Sequence, residues 1–167
     1  MTGVPSGYTS LDPRLRRERS AATISIVVQD APTGSGKPLP LILARELASN
    51  LATPMSLIDA RGMLVFYNDA AAQLIGKPFS EMGEVPAEEF GAVLQLKTPE
   101  GEPVRRRDSP SGISFFERRP AHQKLAATGY DGVQRLVHAT AYPLFGSTGE
   151  MHGVVSVFWQ VDEDDER

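Results

Sequence analysis

The residue types that most often carry chemistry are scarce in this sequence of 167 residues. It has no cysteine, which excludes disulfide scaffolds, cysteine-ligated zinc, iron–sulfur clusters and thiol catalysis. The histidines His122, His138 and His152 show no short metal-ligand spacing, and a zinc site of histidine alone would need all three to converge. We therefore predict no metal site. His122 could be a single haem ligand, but one unpaired histidine indicates no particular group, so the cofactor is unknown.

The segment from Ala31 to Pro38 is close to a phosphate-binding loop, because it combines glycines with Lys37. Such a loop also needs a serine or threonine hydroxyl for magnesium directly after the lysine. Pro38 stands at that position, and Ala31 stands where the first glycine is expected. We therefore predict a glycine-rich linker here and no nucleotide hydrolysis.

The charged residues form neither a catalytic pair nor a nucleic-acid surface. Glu84, Glu88 and Glu89 have the spacing of acids in the first turn of a helix. The basic clusters Arg14–Arg19 and Arg105–Arg107 lack interleaved aromatic residues for base stacking, and the chain has a net charge of −4. We therefore predict no catalytic residue and no nucleic-acid partner.

The amino-acid composition divides the chain into three zones. Residues 1–38 are rich in proline and glycine and are predicted to be flexible, apart from a short strand at Thr23–Val28 that could join a sheet edge. Residues 39–161 carry the periodic apolar pattern of one domain, and 162–167 form an acidic tail. No apolar run approaches the roughly 20 residues that span a bilayer, and the first thirty residues lack the apolar centre of a signal peptide. We expect a cytoplasmic protein without a membrane partner.

Within the domain, apolar periodicity predicts an amphipathic helix over Leu39–Leu51, followed by a hairpin from Met55 to Tyr67. Asn68 has the position of a helix N-cap, and Gly76 that of a helix end. Short helical segments come next, and the last elements are three strands, at about residues 123–128, 134–145 and 154–161. This order predicts an α+β domain with a five-stranded antiparallel sheet, short helices on one face and an N-terminal amphipathic cap helix.

The long strand has two unlike faces. Val137, Ala139 and Ala141 fall on one side, where small side chains leave room for a closely packed helix or a cavity. The other side is semi-apolar and must be covered. The leucines of the first helix could cover it, from the same chain or from a second copy. The predicted interface residues are Leu39, Leu43, Leu47, Leu136, His138 and Tyr142.

The stretch from Ser56 to Ala71 resembles the opening of a PAS domain, with an aspartate–glycine turn between two strands and an Asn-x-Ala sequence that begins a helix. Gly76, Asp131-Gly132, Pro143 and the glycines from Gly149 to Gly153 continue the resemblance over about residues 40–161. The resemblance implies the five-stranded sheet described above, and a first helix of the kind that packs on the sheet or builds dimers.

The sequence departs from that family in two places. Where many PAS domains end in an Asp-x-Thr motif, this chain has Gln160 and Asp162. The missing cysteine also excludes the photosensors that form a cysteinyl–flavin adduct. No effector segment is seen after Val161, so we expect the output to pass through another protein.

The resemblance implies a non-enzymatic sensor or protein-interaction module, homodimeric, signalling in trans to an unidentified effector and able to hold a small ligand. We expect the ligand pocket to be formed by Leu64, Phe66, Asn68, Phe116, Val137, Ala139 and Ala141. The alternative is a small α+β cavity enzyme with isomerase-like acid–base chemistry. An enzyme of that kind needs a carboxylate or tyrosine with a displaced pKa inside the cavity.

Overall fold

A computed structural model describes residues 36–161 of the chain. The predicted strand at 23–28, the first basic cluster and the acidic tail lie outside these residues. In chain order the elements are α1 (Leu39–Ser49), β1 (Met55–Asp59), β2 (Met63–Tyr67), α2 (Asp69–Ile75), α3 (Phe79–Met82), β3 (Val85–Pro86), α4 (Ala87–Val93), a 3-10 turn (Arg106–Asp108), α5 (Pro110–Glu117), β4 (Ala121–Thr128), β5 (Gln134–Phe145) and β6 (Met151–Gln160).

All strands belong to one antiparallel sheet with the order β3-β2-β1-β6-β5-β4. The first and last long strands, β1 and β6, are therefore neighbours in its centre. The predicted α+β fold is confirmed, and the structure adds a sixth strand of only two residues. That strand pairs Val85 with Leu64 and Pro86 with Met63. A pairing of two residues has no periodicity that a sequence could show.

Local side-chain chemistry shapes the first hairpin and the helix after it. The carboxylate of Asp59 accepts hydrogen bonds from the N–H groups of Arg61 and Met63, at 2.9 and 3.0 Å, which fixes the turn. Asn68 caps α2 by accepting from the N–H of Ala71. Gly76 ends α2 with φ at +79°, a left-handed conformation that favours glycine. The sequence prediction of both helix ends is confirmed.

The two faces of the sheet have separate apolar cores. We call the face that carries Ile58, Leu64, Ala141 and Val154 the inner face, and helices α2 to α5 cover it. The opposite, outer face carries residues such as Leu57, Val65 and Val155, against which α1 packs through Ala48. Because successive strand residues point to opposite faces, each strand contributes to both cores.

Helix α1 packs on the sheet by a different side from the one predicted. Leu41 and Ala48 are buried at 2% and 0% exposure, with Ala44 beside them, whereas Leu39, Leu43 and Leu47 are 58 to 65% exposed. The small residues Ala44 and Ala48 let the helix axis approach the sheet closely, which directs the bulkier leucines away from it. The leucine stripe therefore does not cover the strand face of its own chain. No helix within residues 36–161 is long and apolar enough to cross a membrane.

Candidate functional site

A cavity of about 400 Å³ lies between the inner face of the sheet and the helices that cover it. Its floor comes from five strands, and its roof comes from α2, α4 and the segment that leads into α5. Most of its wall is apolar, including Ile58, Ile75, Phe90, Leu125 and Phe158. The volume falls within the range of small-molecule sites, roughly 300–1,000 Å³.

Three of the predicted pocket residues line this cavity. Leu64, Val137 and Ala139 point from the inner face of β2 and β5 into it. Their contact with a ligand stays a prediction. The small side chain of Ala139 is one reason that space remains above the sheet.

The other four predicted pocket residues lie elsewhere. Ala141 is fully buried in the inner core beside the cavity, where a helix packs closely over it. Phe66 belongs to the outer core, with the guanidinium of Arg45 4.9 Å from its ring centre. Phe116 is 44% exposed on the outer side of α5. Phe66 and Phe116 therefore have side chains directed away from the cavity, whereas Ala141 is on the inner face but outside the cavity wall.

Asn68 is also outside the cavity, because its side chain is fully used in holding the fold. It is buried, its carbonyl oxygen accepts from the N–H groups of Met55 and Ala71, and its amide donates to three backbone carbonyls. Those carbonyls belong to Ala48, Leu51 and Thr53, at 3.0, 3.2 and 2.8 Å. Asn68 thus joins the end of α1 to β1 and α2.

Two serines that the sequence reasoning missed stand on the cavity floor. Ser56 and Ser156 are backbone partners on the adjacent strands β1 and β6, and both are buried. The hydroxyl of Ser156 has no hydrogen-bond partner in the described part of the chain. Strand alternation could have found Ser156, because it interrupts an apolar run at an inward-facing position.

The charged residues of the cavity wall are engaged or exposed. Arg105 is paired with Asp108, and Glu88 is exposed. Arg135 donates two hydrogen bonds to the carboxylate of Asp131, at 2.6 and 3.0 Å. These bonds, with the N–H of Val133, hold the pKa of Asp131 at about 2 and raise the pKa of Arg135. The bonds fix the turn between β4 and β5, and the N–H of Tyr130 in this turn donates to the carbonyl of Ile75 at the end of α2, at 2.7 Å.

Two tyrosines with raised pKa values lie outside the cavity wall. Burial, together with nearby Tyr130 and Glu81, raises the pKa of Tyr67 to about 12. The Tyr67 hydroxyl donates to the carbonyl of Lys77 at 2.8 Å, and its ring packs against Phe79 and Phe90. Burial also raises the pKa of Tyr130. Both pKa shifts are a consequence of the packing of the helices on the sheet.

The predicted interface residues all lie on the outer side of the domain. Tyr142 is exposed on β5, and Leu136 and His138, further along the same face of this strand, are half-buried. The structure also brings His122 against His138, with ring nitrogens 3.1 Å apart. The ring of Trp159 stacks on that of His138, and the two ring centres are 5.6 Å apart. This contact joins three strands, so no sequence spacing indicates it. We call the exposed residues Leu39, Leu43, Leu47, Tyr142 and Trp159 the outer apolar surface.

Metal chemistry finds no support among residues 36–161, where no group of three or more histidine, aspartate or glutamate residues is placed to hold an ion. The contact between His122 and His138 brings together only two possible ligands. No donor set within the same residues identifies a cofactor.

No family model and no curated protein sequence matches the chain. Its structure does resemble solved ones. The PAS domain of BvgS from Bordetella pertussis is 20% identical, with a TM-score of 0.52, over 75% of this chain and 89% of that one. The PAS domain of the fruit-fly ELK potassium channel is 12% identical, with a TM-score of 0.58, over 72% and 96%.

A third similar structure is the light-state structure of the LOV domain of the blue-light photoreceptor Aureochrome1. It is 19% identical, with a TM-score of 0.54, over 74% of this chain and 91% of that one. In each comparison the match covers most of residues 36–161 and nearly the whole solved domain. The sheet order, the helices on its inner face and these likenesses together show that residues 36–161 have the fold of a PAS domain.

Proposed function

We propose that this domain is a non-enzymatic sensor or protein-interaction module of a signalling system, working in the cytoplasm, that binds a small molecule in its inner cavity. The observation that carries the proposal is the apolar cavity of about 400 Å³ between sheet and helices. A natural core is close-packed, with few voids larger than a water molecule. A space of this size in a small domain is therefore better explained by a ligand than by imperfect packing.

The alternative of a cavity enzyme is less well supported. Acid–base chemistry of the isomerase kind needs a carboxylate or a tyrosine with a displaced pKa inside the cavity. Among the described residues of the wall, the one carboxylate is the exposed Glu88, and no tyrosine is present. The tyrosines with raised pKa values, Tyr67 and Tyr130, belong to the packing beside the cavity.

In this proposal, ligand binding shifts the populations of two conformations of the domain, and another protein recognises the change. A ligand that favours one packing of the helices on the sheet would change how often α1 and the outer face adopt a given arrangement. The outer apolar surface supports this proposal, because Leu39, Leu43 and Leu47 leave a large apolar area on one side of α1. We propose that this surface forms a homodimer and that the dimer presents the signal to an effector in trans.

Ligand binding can be tested by native mass spectrometry of the protein purified from its own host, alongside the variant Ala139→Leu. We expect the wild-type protein to carry a small molecule, and the variant to lose it because the larger side chain fills the cavity floor. Ala126→Leu is the matched control, since Ala126 lies on the outer face of β4, where Leu136 is its partner on β5. A bound molecule that survives in Ala139→Leu would place the binding site elsewhere.

A further inference from the structure

Ser56 and Ser156 form a polar point on the cavity floor. The two residues are directly opposite each other in the β1–β6 pair, so their side chains are neighbours on the inner face. They are 6% and 8% exposed, and both line the cavity. On the other side of Ser156 its strand partner is Ala141, which offers no polar side chain. Two adjacent hydroxyls thus stand on a floor that is mostly apolar.

The hydroxyl of Ser156 is not used by the fold. It is buried and has no hydrogen-bond partner among residues 36–161. A buried hydroxyl without a partner lowers stability, because it has lost its bonds to water and gained none in return. Each serine can donate one hydrogen bond, and the two residues are opposite each other on the strands that line the cavity. A single acceptor atom on a bound molecule would satisfy them.

The charges around the cavity favour a neutral acceptor over an anion. The Arg105 and Arg135 side chains are bound to Asp108 and Asp131, so neither is a free cation for a ligand carboxylate. Arg106 also lines the cavity, but its guanidinium lies over the rings of Phe115 and Phe116, which are not part of the wall. A carboxylate at the serine pair would be a buried charge without a counterion, which is strongly unfavourable.

We propose that the cavity selects an uncharged, mainly apolar molecule with one hydrogen-bond acceptor, such as a ketone or ester carbonyl, and that Ser56 and Ser156 donate to that acceptor. This inference rests on the proposed function, since it names the ligand class of the same cavity. The apolar wall holds the body of the molecule, and the serine pair sets its orientation.

Three probes with the same ring system separate the contributions of the apolar body, the acceptor atom and the charge to binding. They are 2-acetylnaphthalene, which has a neutral acceptor, 2-ethylnaphthalene, which has none, and 2-naphthoate, which is anionic. In calorimetric titrations of the full chain, we expect the ketone to bind about fivefold more tightly than the hydrocarbon, the ratio that one hydrogen bond provides. We expect 2-naphthoate to bind most weakly of the three.

The variant Ser156→Ala should reduce the ratio between ketone and hydrocarbon to about one, while hydrocarbon binding stays equal or improves. Ser56→Ala should reduce the same ratio and gives a second reading if the first variant folds poorly. The matched control is Ser49→Ala, because Ser49 is exposed on α1 and its hydroxyl donates to the carbonyl of Arg45. That variant should keep the wild-type preference.

Equal binding of the ketone and the hydrocarbon by the wild-type protein would overturn the inference, and so would a preference that survives both cavity variants. Tightest binding of 2-naphthoate would overturn the choice of a neutral ligand. If the wild-type protein binds none of the probes, the cavity function itself is contradicted and the inference with it. Binding without preference contradicts the inference alone.

Discussion

At the scale of single residues, Asn68 makes the largest set of contacts of any polar side chain described above. It is 4% exposed, and its amide forms five hydrogen bonds with backbone groups from α1, the following loop, β1 and α2. Buried polar groups of the backbone must be paired, so one side chain here satisfies groups from four segments. The side-chain amide of asparagine supplies both the acceptor oxygen and the N–H donors that this site needs.

We predict that Asn68→Asp lowers the free energy of unfolding by roughly 2–4 kcal/mol, although aspartate is an equally good helix cap. The carboxylate keeps the two acceptor bonds but places a negative charge against three carbonyl oxygens. Chemical denaturation measures the difference. The control is Asn50→Asp at the end of α1, which is exposed and should cost less than about 1 kcal/mol. Equal losses in both variants would contradict the role given to Asn68.

Tyr67 gives a prediction about alkaline stability. Its pKa is raised from 10.0 to about 12, so the folded state binds its proton more tightly than the unfolded state does. The stabilisation is therefore complete below pH 10 and is lost as the pH rises from about 10 to 12. Two pKa units correspond to roughly 3 kcal/mol at most.

The variant Tyr67→Phe should lose about 1 kcal/mol at pH 8, from the missing hydrogen bond to Lys77, and should then be less sensitive to alkali than the wild-type protein. Urea unfolding at pH 8, 10 and 11 measures both effects, with Tyr142→Phe as an exposed control. A parallel decline of Tyr67→Phe and wild-type stability above pH 10 would mean that Tyr67 ionises without difficulty in the folded state.

At the scale of elements, the helices on the inner face are short and depend on close contacts with their neighbours. Gly112 in α5 is an example. A side-chain methyl at this position would overlap the carbonyl oxygen of Arg106, because the 3-10 turn packs directly on the first turn of the helix. Gly91 in α4 has the same residue type in a helix interior, but nothing lies within 4 Å of the corresponding position.

We predict opposite effects for the same substitution at these two sites. Gly91→Ala should raise the free energy of unfolding by up to about 1 kcal/mol, as helix propensity predicts. Gly112→Ala should lower it by about 2 kcal/mol or more, since the 3-10 turn must move away. Thermal unfolding of both variants provides the measurement. A stabilised Gly112→Ala would show that α5 and the 3-10 turn are less tightly packed than described.

At the scale of the whole molecule, we propose that the domain associates through the outer apolar surface. Leu43 and Leu47 are exposed and are not part of either core, whereas Leu41 on the same helix is buried. Exposed leucines in a row on one helix are typical of an interface, and a two-fold axis would bring the same stripe of a second copy against it.

We predict that wild-type protein at micromolar concentration sediments as a dimer and that Leu43→Glu with Leu47→Glu gives a folded monomer. The far-UV circular dichroism of the double variant should match that of the wild type, because neither side chain is part of a core. Leu41→Glu is the contrasting variant and should unfold the domain, since it buries a charge. Wild-type protein that sediments as a monomer would contradict the dimer.

The sequence by itself determined the features that depend on near neighbours along the chain. The turn at Asp59–Gly62, the cap at Asn68, the end of α2 at Gly76 and the alternation of β5 could all be predicted. Each is fixed by hydrogen bonds or steric limits within a few residues, and the residue types carry that information directly. The α+β class then follows from the order of the elements.

Tertiary structure alone decided which apolar residues meet. Helix α1 has two apolar sides, and it is Ala44 and Ala48, not the leucine stripe, that pack against the outer face of the sheet. The pairing of Ser56 with Ser156 joins residues from the beginning and the end of the domain's sequence, and no spacing along the chain indicates this pairing. Burial depends on the surface that a side chain faces, and that surface exists only after distant segments have packed.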